Sequence, residues 1–221
     1  MKRFALPLLL VFSLVLPAGG AEEPSPAAIA GRLQLLYEET TSLSTSFHQI
    51  TTLQLRSGRQ KEATGTMRIK KPGKMRWDYQ EPEKQTIVCD GTTLTLYTEK
   101  NHQMVTGSAA EYLKSDVTYS FFAGTGDILK DFDVLAPDDG MVARPEGDTV
   151  KLIPKNPHPQ VDTLLVTIDR ATALIKRLEI TDHFGSVTTF LFTDIRRNAD
   201  IAEDSFTFTP PAGTEIIRHE Q

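Results

Sequence analysis

Cysteine is nearly absent from this chain of 221 residues: Cys89 stands alone. A lone cysteine closes no internal disulfide and excludes Cys-rich zinc or iron–sulfur sites. Long apolar runs are also missing. The longest, Phe4 to Leu16, has 13 residues, too few to span a bilayer comfortably. Basic residues are outnumbered, 24 against 29 acidic, for a net charge of −5. That balance argues against a nucleic-acid partner held by a basic surface. No Gly-x-Ser-x-Gly elbow and no His-Glu-x-x-His is present. Gly124-Thr125-Gly126 is not continued as a dinucleotide or phosphate loop. The five histidines lack ligand spacing, and no pair of carboxylates is spaced for acid–base work. An enzymatic site would have to be assembled by the fold alone, so the chain is expected not to be an enzyme and to use no metal or cofactor.

What is present begins with an address. Lys2 and Arg3 precede the apolar run, and Ala18-Gly19-Gly20-Ala21 follows it with small residues. This is the layout of a secretory signal cleaved after Ala21. No cysteine lies near to carry a lipid. The expected product is soluble, exported to the periplasm, and a single domain over residues 22–221. It would hold 22 basic and 29 acidic residues.

Ser25 then Pro26 suits an N-cap and first helical residue. Ile29, Leu33, Leu36 and Tyr37 form one apolar stripe, predicting a helix of about four turns, ended by the Thr/Ser cluster from Thr40 to Ser46. The pattern then becomes two-fold. Ala63, Gly65, Met67 and Ile69 alternate with polar residues, as do Met75, Trp77 and Tyr79. Both predict half-buried strands. Pro72-Gly73 turns between them, and Asp90-Gly91 signals a hairpin. Further strands are predicted at 93–98, 102–106, 132–136, 148–153, 162–168, 174–181 and 187–195, and Phe206 and Phe208 alternate with Thr207 and Thr209. Ser108 to Lys114 reads as helical. Tyr119 to Asp131 reads as two helical turns broken at Gly124 to Gly126. Cys89 reads as a small apolar strand residue.

The total is about eleven strands in hairpin order around a helical insert. The predicted fold is mainly β (α+β): one antiparallel sheet curled into a barrel or half-barrel, with short helices covering its concave mouth.

Four segments carry a resemblance. Gly65 to Tyr79 reads GTMRIKKPGKMRWDY, Val88 to Tyr97 reads VCDGTTLTLY, Phe206 to Ile217 reads FTFTPPAGTEII, and Ser46 to Gln49 reads SFHQ. Their order and spacing resemble the periplasmic outer-membrane lipoprotein carrier family, LolA, over essentially all of residues 22–221. The resemblance implies an incomplete antiparallel barrel of eleven strands with a lid of three helices. It implies a carrier that takes the acyl chains of lipoproteins from an inner-membrane ABC transporter and delivers them to an outer-membrane acceptor. Two departures stand out. Lys71 occupies a position where the family usually has an arginine implicated in holding the lid closed, and lysine lacks the planar fork of donors. Thr95 stands where family members often have tryptophan.

On this resemblance the acyl-binding wall is expected at Met67, Ile69, Met75, Trp77, Leu94 and Leu96, with Leu33 and Leu36 beneath the first helix. Phe121 and Phe122, beside two glycines, would form a hinged plug; ordinary core packing is the competing expectation. Lys71 is expected to close the lid or serve docking. Trp77 is expected to be partly exposed in the mouth. Lys70, Lys71, Lys74 and Arg76 are either a solvated strand end or a docking site for acidic groups. The expected partners are lipoprotein acyl chains, the transporter and the acceptor, the carrier itself being a monomer. Three rivals remain. A lipoprotein-sensing regulator would carry a second domain, whereas this chain runs some ten residues past Pro211. The acceptor would carry a lipid-bearing cysteine. A generic carrier of fatty acids or glycolipids stays open.

Overall fold

The computed structural model describes residues 23–56, 58–111, 127–138, 145 and 147–218. The expected signal segment and Phe121, Phe122 and Gly124 to Gly126 lie outside them.

Ser25 opens the first helix by accepting the Ala28 N–H at 3.2 Å. Pro26 takes the first position, where an amide has no intrahelical partner. Helix α1 runs Pro26–Glu38 and buries Ile29, Ala30 and Leu33, the stripe the spacing predicts. It stops at Glu39, and Thr40 returns its hydroxyl to the Leu36 carbonyl at 2.6 Å.

Twelve strands follow: β1 Ser42–Leu53, β2 Arg59–Lys70, β3 Lys74–Glu81, β4 Gln85–Asp90, β5 Thr93–Thr98, β6 Gln103–Ser108, β7 Phe132–Leu135, β8 Asp148–Pro154, β9 Thr163–Ile168, β10 Ile175–Thr181, β11 Val187–Arg197 and β12 Glu215–Arg218. They form one sheet in the order β12-β6-β5-β4-β3-β2-β1-β11-β10-β9-β8-β7. The two end strands do not pair with each other, so the sheet is open. Neighbours are antiparallel except β12, which lies parallel to β6. A short helix α2, Ile128–Asp131, precedes β7 and is capped by the Asp127 carboxylate. The chain is also helical at 109–111, within the expected Ser108–Lys114 segment, whose remainder lies outside the described residues.

Three expectations need correction. The stretch from Ser42 is not merely the end of a helix; it is the central strand β1, paired along its length with β2 and, past one irregularity at Ser44 to Ser46, with β11. The Phe206–Phe208 alternation makes no strand. Glu203–Phe206 is a 3-10 turn, and Phe206 buries against Val88 and Ile201 on the convex face. The sheet has twelve strands, the extra edge being a parallel one.

Alternation along each strand divides the molecule in two. One face of β1–β5 and β8–β11 contributes to a single buried cluster with α1 and α2, including Phe47, Met67, Trp77, Leu94, Val150, Val166 and Phe192. Strands from both halves of the sheet meet there, so the sheet curls around the helices. Gly65 is needed at the tightest point: a Cβ there would lie 2.2 Å from the Asp78 carbonyl oxygen and 2.7 Å from the Phe47 ring.

The convex face is crossed by the segment leading from β11 to β12. At its start the Asn198 N–H donates to the Ser42 carbonyl at 2.8 Å. Lys70 donates to the Ile201 carbonyl at 2.8 Å and Arg76 to the Ser205 and Thr207 carbonyls at 3.1 and 3.3 Å. Phe208 lies over Tyr97, centroids 5.0 Å apart.

Candidate functional site

Helix α1 crosses the concave face at one end of the curled sheet. Where its C-terminal half leaves the strands, a cavity of about 50 Å³ remains. Leu33, Leu36 and Tyr37 form its roof. Leu43 and Thr45 of β1, Met67 and Ile69 of β2, and Phe192 and Ile195 of β11 supply the wall, with Leu174 and Ile175 from the start of β10. The cross-strand pairs Leu43–Ile69 and Thr45–Met67 place these side chains together. Its polar residues are Thr40, Thr41, Ser42, Lys71 and, within the wall, Thr45.

Lys71 follows β2 and reaches up to the helix. Its ammonium donates to the Tyr37 carbonyl and lies 4.5 Å from the centre of the Tyr37 ring. The last carbonyls of a helix carry partial negative charge and lack intrahelical donors, so a cation is favoured there. Burial holds the Lys71 pKa below the ordinary lysine value, partly countered by Glu38.

A second opening, about 410 Å³, lies at the other end of the same face. Trp77, Tyr79, Val161, Ile180 and Phe190 line its floor, and Gln160, Asp182, His183 and Phe184 its rim. Aromatic rings stand between the two spaces. Phe47 is 5.0 Å from Trp77, 5.0 Å from Tyr79 and 6.1 Å from Phe190. Phe190 stacks on Phe192 at 6.0 Å. Tyr79 donates its hydroxyl to Gln49 at 2.9 Å, which satisfies the polar end of that ring.

Of the residues predicted for the site, Leu33, Leu36, Met67, Ile69 and Lys71 line the first cavity, and Trp77 lines the second. Met75 and Leu94 are buried core, with Leu96 packed against it; none of the three lines either space. Phe121 and Phe122 lie outside the described residues. Trp77 is 1% exposed, so the expected partial exposure fails. Phe47 and Phe190 close over its indole. The sequence reasoning missed Phe47, Phe190, Phe192, Leu43 and Tyr37. Phe190 and Phe192 carried a usable signal, two aromatics at two-residue spacing inside a predicted strand.

The basic cluster near Pro72 divides. Lys71 serves the helix. Lys70 and Lys74 both bind Glu203, Lys70 at 2.7 Å. Together with Arg76, they hold the chain's own convex segment. Hydrogen bonds from Lys70 and Lys74 bring the Glu203 pKa down to about 2. Cys89 is fully buried with its Sγ 3.2 Å from the Gly73 carbonyl, and burial pushes its thiol up. It packs as the predicted strand residue. Among the described residues no group of three or more His, Cys, Asp or Glu could hold a metal ion.

The geometry is a curled open sheet with helices over an apolar concavity. Comparison with known proteins gives this fold a family. The model described as "Outer membrane lipoprotein carrier protein LolA" matches residues 38–209. A protein of Chromobacterium violaceum named outer-membrane lipoprotein carrier protein is 27% identical over 96% of this chain and 98% of its own. One of the same name from Chromohalobacter salexigens is 30% identical over 99% of each. A crystal structure of an uncharacterized conserved protein from Thermus thermophilus shares the fold, with a TM-score of 0.54 at 15% identity, covering 86% of this chain and 97% of that one. The chain belongs to the LolA family of outer-membrane lipoprotein carriers.

Proposed function

We propose that this protein is a periplasmic carrier. It binds the acyl chains of a lipoprotein between α1 and the sheet, receives them from an inner-membrane ABC transporter and yields them to an outer-membrane acceptor. Residues 1–21 would direct export and be removed, leaving one carrier domain. The observation that supports this most is the first cavity, whose lining is apolar apart from Thr40, Thr41, Ser42, Thr45, Lys71 and the hydroxyl-bearing Tyr37.

The volume decides how such a cavity works. An apolar hole of about 150 Å³ takes only a benzene-sized guest, and this one is about 50 Å³. On this reading the first cavity is in a closed state, and it would admit an acyl chain when helix and sheet part. Leu33, Leu36, Met67 and Ile69 then become the surface the chain touches. Phe121 and Phe122 would complete the plug. Lys71 would hold the closed state through the Tyr37 carbonyl, a single-point contact in place of the family arginine.

Moving acyl chain out of water gains roughly 0.8 kcal/mol per methylene, so a whole chain would never leave if water were the alternative. The working comparison is cavity against bilayer or acceptor, both apolar, where the difference is small. Flexible Met67 in the wall suits a guest that must depart. No bond is made or broken.

The test is mass spectrometry of material extracted from the protein purified from its native envelope. Acylated polypeptide is expected. Free fatty acid or glycolipid alone would make it a generic lipid carrier instead.

A further inference from the structure

The carrier cycle proposed above makes no use of the second cavity, and its lining has a chemistry of its own. At about 410 Å³ it falls within the size range of small-molecule sites. It far exceeds the roughly 150 Å³ that takes a benzene-sized guest. Tyr79, Val161, Ile180 and Phe190 join the buried Trp77 in an apolar floor. An alkyl or aromatic body suits such a floor.

The polar side of the lining carries one sign of charge. Among the described residues that line it, Asp182 is the one carboxylate, and no lysine or arginine is present. The Asp182 side chain accepts the N–H groups of Phe184 and Ser186, both at 2.8 Å and both on Oδ1. Those bonds fix the carboxylate. Its Oδ2 accepts no hydrogen bond among the described residues, so that oxygen is left for a donor from outside. His183, also on the rim, is spent: its Nε2 lies 2.8 Å from the His158 carbonyl oxygen. Phe184 stands in the same turn as Asp182, 69% exposed, and an aromatic face attracts a cation.

The surroundings add to this field. Glu62, Glu81, Asp162 and Asp182 outnumber Arg59 and Lys61 at this end of the sheet. Neither of those two bases lines the cavity. An anionic head is therefore repelled from the mouth and a cationic one drawn to it.

We propose that the second cavity binds a small amphiphile whose apolar body lies on the floor and whose ammonium head meets Asp182 Oδ2 and the Phe184 ring. The inference goes beyond the carrier reading and does not depend on what the cargo is.

The test is a titration of the purified protein with dodecyltrimethylammonium, dodecyl maltoside and dodecyl sulfate, each below its micelle concentration. Calorimetry gives the affinities. Trp77 is the only tryptophan, so its emission reports on the cavity floor. The ammonium compound is expected to bind about tenfold or more tighter than the sulfate. That gap should shrink in about 0.5 M salt. Asp182→Asn keeps an oxygen for the two turn N–H groups, so the melting temperature should hold while the preference for ammonium disappears. Thr188→Phe, which fills part of the cavity, should weaken all three ligands. Hydrogen exchange on binding should slow at 160–161 and 182–186. Equal affinity for ammonium and sulfate, a preference that survives Asp182→Asn, or affinities untouched by Thr188→Phe would each overturn the proposal. Protection confined to α1 would overturn it as well, by placing the ligand in the first cavity. The titration needs no cargo, so a failure of the carrier reading in the mass spectrometer leaves this result independent.

Discussion

Trp77 shows how burial changes what a substitution does. Its indole is 1% exposed and enclosed by Phe47 and Phe190. A carboxylate at that place would be desolvated without a partner. Trp77→Glu is therefore expected to unfold the protein or lower its denaturation midpoint severely, and not to act on cargo alone. Phe190→Ala is the more informative change. It removes a ring between the two spaces, at a cost of about 3–5 kcal/mol in a urea titration, and should admit a larger apolar guest in a dye-binding assay. Gly65 is the reverse case, a place with no room to fill. With a backbone oxygen 2.2 Å from the position of a Cβ, Gly65→Ala should lose about 1–3 kcal/mol through overpacking. Equal stability of that variant would mean that β2 and β3 can part more easily than their register suggests.

At the scale of elements, α1 and the convex segment are held in different ways. Helix α1 is moored at several points, Gln34 accepting the Ile128 N–H at 3.0 Å among them. Lys71 holds its C-terminal end through the Tyr37 carbonyl. On the far side Arg32 meets Asp148 of β8 at 3.2 Å and also the Asp169 and Arg170 carbonyls. Lys71→Leu should speed hydrogen exchange in the last turn of α1 and hasten cargo release; unchanged exchange and release would leave Lys71 an ordinary surface residue. The convex segment depends on Glu203. Its carboxyl is held down to about 2, against an ordinary value of 4.5. A depressed carboxylate stabilises the fold fully above its unfolded value and loses that contribution as pH falls through the folded one. Glu203→Gln should thus lower the melting temperature at neutral pH. The gap from the wild type should narrow below pH 4.5 and close near pH 2. A gap that persists at the acid end would show that the lysines do not stabilise the ionised form.

The whole molecule was legible where both strand faces carry contrasting residues. Met75, Trp77 and Tyr79 against Arg76 and Asp78 leave no doubt about a two-fold period, and β3 is where that pattern puts it. Strand β1 was hidden because its inward row is Leu43, Thr45, Phe47 and Gln49, only half apolar, in a run of serines and threonines. A central strand can be this polar when Thr45 donates to the Thr193 carbonyl and Gln49 accepts from Tyr79. Such bonds join residues far apart in the chain, which periodicity does not register. The same holds for Phe206, whose partner Val88 lies on the outer face of β4. A third of the first cavity's lining was found, Leu33, Leu36, Met67, Ile69 and Lys71, because cavity and core share one apolar face; local pattern cannot say which of those residues border empty space.

The belt from Asn198 to β12 spans the back of β2 to β6 and is fixed at several points along its course. Those strands are thereby stiffened from behind. On the carrier reading proposed above, swelling of the interior would come from the front, by lifting α1, so volume would be gained along one direction only and the outline seen from behind would stay constant.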